Sequence, residues 1–219
     1  MESRPQSAHG SYRVEIIRKA IHLCSVAIPI YYFLTPRDVA LRLCVPVTVF
    51  ALIVDVARHY YPPLKKLFNR TFGWLLRSHE TDRDRKRLSG ATWVLISATL
   101  AIWIFPKIIA ITGFCVLIVA DMAAALIGRR FGRRKFLAKT VEGSAAFFVS
   151  ALLVVAFLPK IEYAPSEYLI GAGAALVATI VEALPVDLDD NFSVPMSFGA
   201  AMWAGYWLVL PAMQIYRFG

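Results

Sequence analysis

The chain has 219 residues, of which 58% are apolar and 18% are charged, and its mean hydropathy is +0.58. These values exclude an ordinary soluble domain, because a core of this size has no room for so many apolar side chains. The formal net charge of +9 would suit nucleic acid, but the basic residues flank apolar segments. Membrane topology and anionic lipid headgroups explain them, so we predict membrane lipids as partners and no nucleic acid.

Seven apolar segments approach the length of a bilayer span, which requires roughly 20 residues of helix. In chain order they cover residues 14–35, 38–60, 89–105, 107–128, 141–159, 166–184 and 194–215. The predicted fold is all-α: a polytopic transmembrane helical bundle of about seven spans, forming a single domain over residues 1–219. The first segment is not a signal peptide, since no small-residue cleavage site follows it and six further spans do.

The first span opens with Arg18, Lys19 and His22, and the distribution of basic residues predicts its orientation. The N-terminal segment, the connection 58–88 and the connection 129–139 carry four, nine and six of the 24 Lys and Arg residues. Because basic residues favour cytoplasmic connections, the N-terminus is predicted to be cytoplasmic. An odd number of spans then places the C-terminus on the opposite side.

Residues 62–77 follow the second span with helical periodicity, apolar on one face and basic on the other. This pattern predicts a basic amphipathic helix on the cytoplasmic side. Two placements remain open: the helix lies among the lipid headgroups, or it packs on the cytoplasmic face of the protein itself.

Asp121 lies within the fourth span, where a carboxylate costs about 2.5–3.5 kcal/mol to insert and therefore usually has a role or a partner. Gly128 and Gly132 share its helical face if the helix continues that far. Small residues there allow another backbone, or a phosphate, to approach closely. Asp55 ends the second span on the same predicted side of the membrane.

The connection 129–139 and the start of the fifth span combine features that suit a polyphosphate. Arginines offer paired donors to phosphate oxygens, and a helix N-terminus presents free N–H groups. The Lys139-Thr140 pair is not part of a P-loop, because Ala138 occupies the position directly before the lysine where that motif requires glycine.

A second group of acidic residues spans the end of the sixth helix and the start of the seventh. Glu182 comes first, followed by Asp189, Asp190 and Asn191. Phe192 replaces the glycine that a calcium-binding EF-hand loop requires, so that motif is excluded. A hard cation held partly by substrate phosphates fits better, and Mg²⁺ is the usual one.

Four motifs in this order resemble the CTP-dependent lipid-alcohol kinases, the family that includes dolichol kinase, phytol kinase and the CTP-using diacylglycerol kinase. The motifs are Arg18-Lys19-x-x-His22, Asp121-x-x-Ala124-x-x-x-Gly128-x-x-x-Gly132, Lys139-Thr140-x-Glu142-Gly143, and Glu182 with Asp189-Asp190-Asn191-x-x-Val194-Pro195. The resemblance implies transfer of the γ-phosphate of CTP to a lipid alcohol, such as polyprenol, dolichol, phytol or diacylglycerol, at the cytoplasmic face. Dolichol kinases carry further spans, so this chain is similar to a minimal core.

The resemblance places Arg18, Lys19, Asp121 and Gly128 in the functional set, and we extend it to a hypothesis for each role. The expected nucleotide-binding residues are Arg18, Lys19, Gly128, Arg129, Gly132, Lys139, Thr140 and Gly143. The expected Mg²⁺ ligands are Asp121 with Asp190 or Glu142. Lys19 acts in catalysis with Asp121, and Glu182 or Asp189 accepts the alcohol proton. The expected substrate contacts are His22 and Asn191.

Two other functions were weighed. Residues 121–143 are also similar to phosphatidate cytidylyltransferases, but the fuller metal-binding signature expected near the C-terminal end of such an enzyme is not evident. A transporter would place ionisable residues along a path near the midplane, whereas these carboxylates gather toward one interface. The predicted location is a bacterial or archaeal cell membrane, or the endoplasmic reticulum of a eukaryote. The sequence leaves open whether the chain forms a homo-oligomer.

Overall fold

The computed structural model describes residues 22–72 and 88–216, and within them the chain is helical apart from one short hairpin. The helices are α1 Ala27–Leu34, α2 Arg37–Tyr60, α3 Pro62–Phe72, α4 Gly90–Ile104, α5 Lys107–Phe131, α6 Val141–Phe157, α7 Pro165–Ala183 and α8 Asp190–Val209. Between α5 and α6, strands β1 Lys135–Phe136 and β2 Lys139–Thr140 pair antiparallel. The sequence did not predict this hairpin.

Three of the described helices, α2, α5 and α7, are long and apolar enough to cross a membrane. The shorter apolar helices are His22–Leu34, Gly90–Ile104 and Val141–Phe157. These helices agree with a membrane protein built as a helical bundle. The count of seven spans and the cytoplasmic N-terminus stay predictions.

Helix boundaries follow local signals in the sequence. Pro36 and Pro106 immediately precede α2 and α5, and Pro165 begins α7, since the fixed φ of proline suits the start of a helix and its missing N–H costs nothing there. The last helix differs from the prediction at both ends. The last helix begins at Asp190 rather than residue 194, because Asp189 caps it, and it ends at Val209 rather than 215.

Helix α5 also ends differently from the prediction. This helix ends at Phe131, and the N–H of Gly132 donates to the carbonyl of Gly128 as the C-cap. Gly132 therefore lies outside the helical face that it was predicted to share with Asp121.

Helix α5 is central to the bundle, whereas α2 is peripheral. In their apolar 18-residue windows, 67% of α5 is buried but only 11% of α2. Helix α5 contacts α1, α4, α6 and α8. The outward side chains of α2 include Phe50 and Ile53, which are exposed in the isolated chain and suit contact with lipid tails.

The segment predicted to be amphipathic forms helix α3 over residues 62–72, and residues 73–77 of the prediction lie outside the described part. Its position on the cytoplasmic side stays a prediction. Only Tyr61 separates α3 from α2. The guanidinium of Arg58 lies 4.6 Å from the ring centroid of Phe68 and forms a 2.5 Å ion pair with buried Asp55. Helix α3 is thus anchored to α2 through Phe68, while Leu67 stays 59% exposed.

Candidate active site

Three of the described helices end and four begin at one end of the bundle, which we term the polar end: α2, α5 and α7 finish there, and α3, α4, α6 and α8 start there. Hydrogen bonds tie these termini together. The N–H of Ser89 donates to Asp55 Oδ2 at 2.6 Å, and the N–H of Ala138 donates to the carbonyl of Ala183 at 2.9 Å. The fold therefore gathers polar residues from distant stretches of the chain.

Lys139 lies between two carboxylates at this end. Its Nζ is 2.8 Å from Asp190 Oδ2 and 3.0 Å from Glu182 Oε1. The hairpin places Lys139 there, because Lys139 pairs with Phe136 across the strands and the adjacent Ala138 is bonded to the end of α7. Burial disfavours the ammonium, but the charges of Asp190 and Glu182 outweigh it and raise the pKa of Lys139 above its ordinary value of 10.5.

Glu182 has one oxygen engaged and one free. Its side chain is 4% exposed, and within residues 22–72 and 88–216 the buried Oε2 atom has no hydrogen-bond partner. Asp190 and Asp121 are both close enough for their charges to act on Glu182. His22 Nε2 lies 3.8 Å from Asp121 Oδ2. Asp121, Glu182, Asp190, Lys139 and His22 thus form one cluster, which we term the acidic cluster.

Asp189 and Asn191 build the start of α8. The Oδ1 atom of Asp189 accepts from the backbone N–H of Asn191 at 3.0 Å and from its side-chain Nδ2 at 2.7 Å. The carbonyl of Asn191 accepts from Ser97 Oγ at 2.7 Å, and its side-chain Nδ2 donates to the carbonyl of Gly90 at 3.5 Å. These contacts hold the start of α8 against α4, so both residues have a structural role. Proton transfer by Asp189 and substrate contact by Asn191 stay hypotheses.

Helices α5 and α6 meet at a group of small residues, which are Gly128, Gly132, Thr140 and Gly143. Thr140 Oγ1 caps α6 by accepting the N–H of Gly143 at 3.1 Å. A Cβ added to Gly128 would lie 3.2 Å from Thr140 Oγ1 and 3.3 Å from the Cα of Gly143. Small residues are required here so that two backbones can approach. Phosphate binding by these four residues stays a prediction.

Other predicted residues have separate positions. Glu142 Oε2 accepts the N–H of Arg134 at 3.4 Å, which links α6 to the loop before the hairpin. Arg129 is exposed in the last turn of α5. Arg18 and Lys19 lie outside the described residues.

A metal site made only of protein ligands is not present in the described part of the chain, where no three His, Cys, Asp or Glu residues converge on a point. Mg²⁺ does not require such a site, because it retains water and is commonly held by one or two carboxylates together with substrate phosphates. The free, buried oxygen of Glu182 beside Asp190 and Asp121 fits that mode of binding.

One buried carboxylate, at the opposite end of the bundle, was not among the predicted site residues. Glu167 is fully buried and accepts from the Tyr206 hydroxyl at 2.8 Å and from three backbone N–H groups of the preceding loop. Glu167 is the second residue of the predicted span 166–184, where a carboxylate reaches the membrane interface at little cost, so the sequence carried no signal that it is buried.

Several proteins are similar to this chain over most of its length or over part of it. An uncharacterized protein of Rickettsia prowazekii is 30% identical over 183 residues, covering 83% of this chain and 89% of that protein. An uncharacterized protein of Methanocaldococcus jannaschii is 27% identical over 187 residues, covering 83% and 88%. Saccharomyces cerevisiae CTP-dependent diacylglycerol kinase 1 is 26% identical over 171 residues, covering 68% of this chain.

The match spans 58% of the length of that yeast kinase. The Schizosaccharomyces pombe protein of the same name is 29% identical over 98 residues, 43% of each chain. No family model matches the chain, and no solved structure matches it significantly. The distant homology to CTP-dependent diacylglycerol kinases suggests a lipid kinase.

Proposed function

We propose that this chain, which belongs to the same family as the uncharacterized Rickettsia prowazekii protein, is an integral membrane lipid kinase that uses CTP. It transfers the γ-phosphate of CTP to the hydroxyl of a polyprenol, dolichol, phytol or diacylglycerol at the cytoplasmic membrane face. Two findings support this proposal: the similarity to proteins named CTP-dependent diacylglycerol kinase and the acidic cluster at the polar end.

The observation that carries the proposal is the position of Lys139 between Glu182 and Asp190, with Asp121 close by. Phosphoryl transfer depends mainly on positioning and on neutralising charge along the line of attack. A cationic side chain next to several carboxylates supplies contacts for both a phosphate and a divalent metal. Because the cluster lies at the end of an apolar bundle, a lipid hydroxyl can reach it while the lipid tail stays in the bilayer.

Each group has an expected role in the reaction. The alcohol oxygen bonds to the γ-phosphorus, the bond from that phosphorus to the bridging oxygen breaks, and CDP leaves. Glu182 or Asp189 accepts the alcohol proton. Mg²⁺, held by Asp121 with Asp190 or Glu142, would neutralise charge on the CTP phosphates when bound. The phosphate oxygens are contacted by Arg18, Lys19, Arg129 and Lys139.

A labelling assay tests this function. Purified protein is incubated with Mg²⁺, γ-labelled CTP or ATP, and a panel of phytol, polyprenol, dolichol and diacylglycerol. We expect label from CTP in one lipid class, together with release of CDP. Absence of lipid label from either nucleotide would contradict the proposal. Formation of a CDP-lipid and diphosphate from phosphatidate would instead support the cytidylyltransferase alternative.

A further inference from the structure

We propose that the ammonium of Lys139 occupies the position of a divalent cation between Glu182 and Asp190, and that the two exchange. When the cation binds, Lys139 leaves the two carboxylates and contacts a phosphate group. The phosphate part of this inference rests on the proposed function; the metal part does not. The inference names Glu182 and Asp190 as the metal-binding pair.

The geometry around Lys139 is the first support. Two carboxylate oxygens from different helices, α7 and α8, face a single cation at 3.0 and 2.8 Å. Mg²⁺ binds carboxylate oxygens at about 2.1 Å, so each oxygen needs to move by only about 1 Å to hold the metal instead of the ammonium. Side-chain torsions supply a shift of that size.

Charge is the second support. Glu182 and Asp190 bring two negative charges to Lys139, which brings one positive charge, so these three residues carry an excess of one negative charge. A divalent cation in place of the ammonium balances the two carboxylates. Buried charge without compensation is unfavourable, so the cluster has a reason to bind a cation stronger than lysine.

The third support is the free oxygen of Glu182. Oε2 is buried and has no hydrogen-bond partner within the described residues, although Oε1 of the same carboxylate is engaged by Lys139. Leaving a buried acceptor unpaired costs about 1–3 kcal/mol, more for a charged group. A metal bound by this carboxylate would satisfy that oxygen.

Lys139 is also able to move. Its side chain is 36% exposed, in contrast to that of Glu182, and its flexible four-carbon stem begins in a two-residue strand at the surface of the bundle. The ammonium can therefore turn outward to an arriving phosphate without unfolding the hairpin. If Glu182 and Asp190 bind the metal, the role of Glu142 is to accept the N–H of Arg134 next to the hairpin. Asp189 is then the remaining residue that could accept the proton of the alcohol.

Manganese binding tests the exchange without turnover. The full chain is purified in detergent, and free Mn²⁺ is measured by electron paramagnetic resonance in the absence of nucleotide. We expect Lys139→Met to bind Mn²⁺ about tenfold more tightly than the unaltered protein, or more, because an opposite charge in contact changes ionic equilibria by at least that factor. Adding Glu182→Gln to Lys139→Met should reverse the gain.

Lys135→Met is the matched control, because it removes the same charge from the same hairpin at an exposed position paired with Thr140. It should leave the Mn²⁺ affinity unchanged. An affinity of Lys139→Met no higher than that of the unaltered protein would overturn the proposal. An equal gain in both variants would also overturn it, since the effect would then be one of net charge.

A second measurement needs no destabilising variant. Lysines of the unaltered chain are reductively methylated with carbon-13, which keeps their charge, and the Lys139 signal is assigned with Lys139→Arg. Addition of Mg²⁺ with inorganic triphosphate should shift the Lys139 signal and not the Lys135 signal. An unchanged Lys139 signal contradicts the exchange. Both readouts are independent of CTP and of lipid, so failure of the kinase assay and failure of the exchange are separate results.

Discussion

Buried carboxylates in this protein differ in whether their oxygens are satisfied. Glu167 is completely buried, and both of its oxygens accept hydrogen bonds from the surrounding loop and Tyr206. Asp55 is paired with Arg58 and with the N–H of Ser89. The Oδ1 atom of Asp55 has no hydrogen bond, but Arg58 Nε lies 2.5 Å from it and neutralises its charge. Glu182 differs, because its ion pair with Lys139 is made through Oε1 and leaves the buried Oε2 without a hydrogen bond among the described residues. A ligand can satisfy that oxygen.

Replacing Asp121 by Asn tests the acidic cluster at a single residue. The substitution keeps the shape of the side chain but removes its charge, so we expect kcat to fall by about a hundredfold or more, with little change in melting temperature. Asp38→Asn is the control, because Asp38 is an exposed carboxylate at the opposite end of the bundle. Folded Asp121→Asn with near-normal activity would show that the metal role is wrong.

Asp189 allows its capping role to be separated from proton transfer. Asp189→Ala removes the cap of α8 and should lower the free energy of unfolding by about 1 kcal/mol, while Asp189→Ser retains a capping oxygen and should unfold like the unaltered protein. Thermal unfolding in detergent measures both. If Asp189→Ala is as stable as the unaltered chain, the cap contributes nothing. A lower kcat for Asp189→Ser at unchanged stability would support the proton role.

At the scale of elements, the crossing of α5 and α6 determines where the hairpin lies. A Cβ added to Gly128 or to Gly143 would lie 3.3 Å from the Cα of the other glycine and 3.0–3.2 Å from Thr140 Oγ1, so a side chain at either position fits only if its neighbours shift. This crossing brings β2, and with it Lys139, to the end of α7. The glycines therefore position the site through packing, whether or not they also contact phosphate.

Gly143→Ala tests that packing. The new Cβ would lie 3.0 Å from Thr140 Oγ1 and 3.3 Å from the carbonyl oxygen of Ala124, so Thr140 and the backbone of α5 must shift to accept it. We expect a loss of about 1–3 kcal/mol in the free energy of unfolding. The matched control is Gly173→Ala in α7, where nothing lies within 4 Å and alanine should stabilise the helix by about 0.5–1 kcal/mol. Equal effects of the two substitutions would contradict the packing argument.

For the molecule as a whole, the two ends of the bundle have different chemistry. The polar end holds the hairpin and the acidic cluster. The opposite end is closed by backbone contacts, such as Lys107 Nζ donating to the carbonyl of Thr35 at 2.9 Å, and by the buried Glu167. The excess of Lys and Arg in the connections at the polar end predicts that this end faces the cytoplasm.

Cysteine labelling tests this orientation. Lys135→Cys lies in the hairpin, and Tyr163→Cys lies in the loop before α7, at the other end; both positions are exposed. Each is placed in a chain whose native cysteines are replaced. A membrane-impermeant maleimide applied outside intact cells should label position 163 and spare position 135. Labelling of position 135 from outside would reverse the predicted topology.

The sequence alone determined the helical character, the boundaries of α2, α4, α5, α6 and α7 to within a few residues, and the polar residues that need an explanation. Those features depend on local composition, on proline and on the cost of charge in an apolar helix, all of which can be read along the chain. The role of Gly132 and the start of α8 were not predicted, although glycine at the end of a helix and aspartate at its start are local signals that the sequence carries.

Only the tertiary structure decided which polar group meets which. Lys139 and Asp190 are 51 positions apart in the chain, and nothing in the sequence specifies the distance between their side chains. The helix crossing at Gly128 and Gly143 and the bond from Ala138 to Ala183 bring Lys139 to α7 and α8. A contact between distant residues is fixed by the packing of the helices that carry them, and local sequence patterns do not encode that packing.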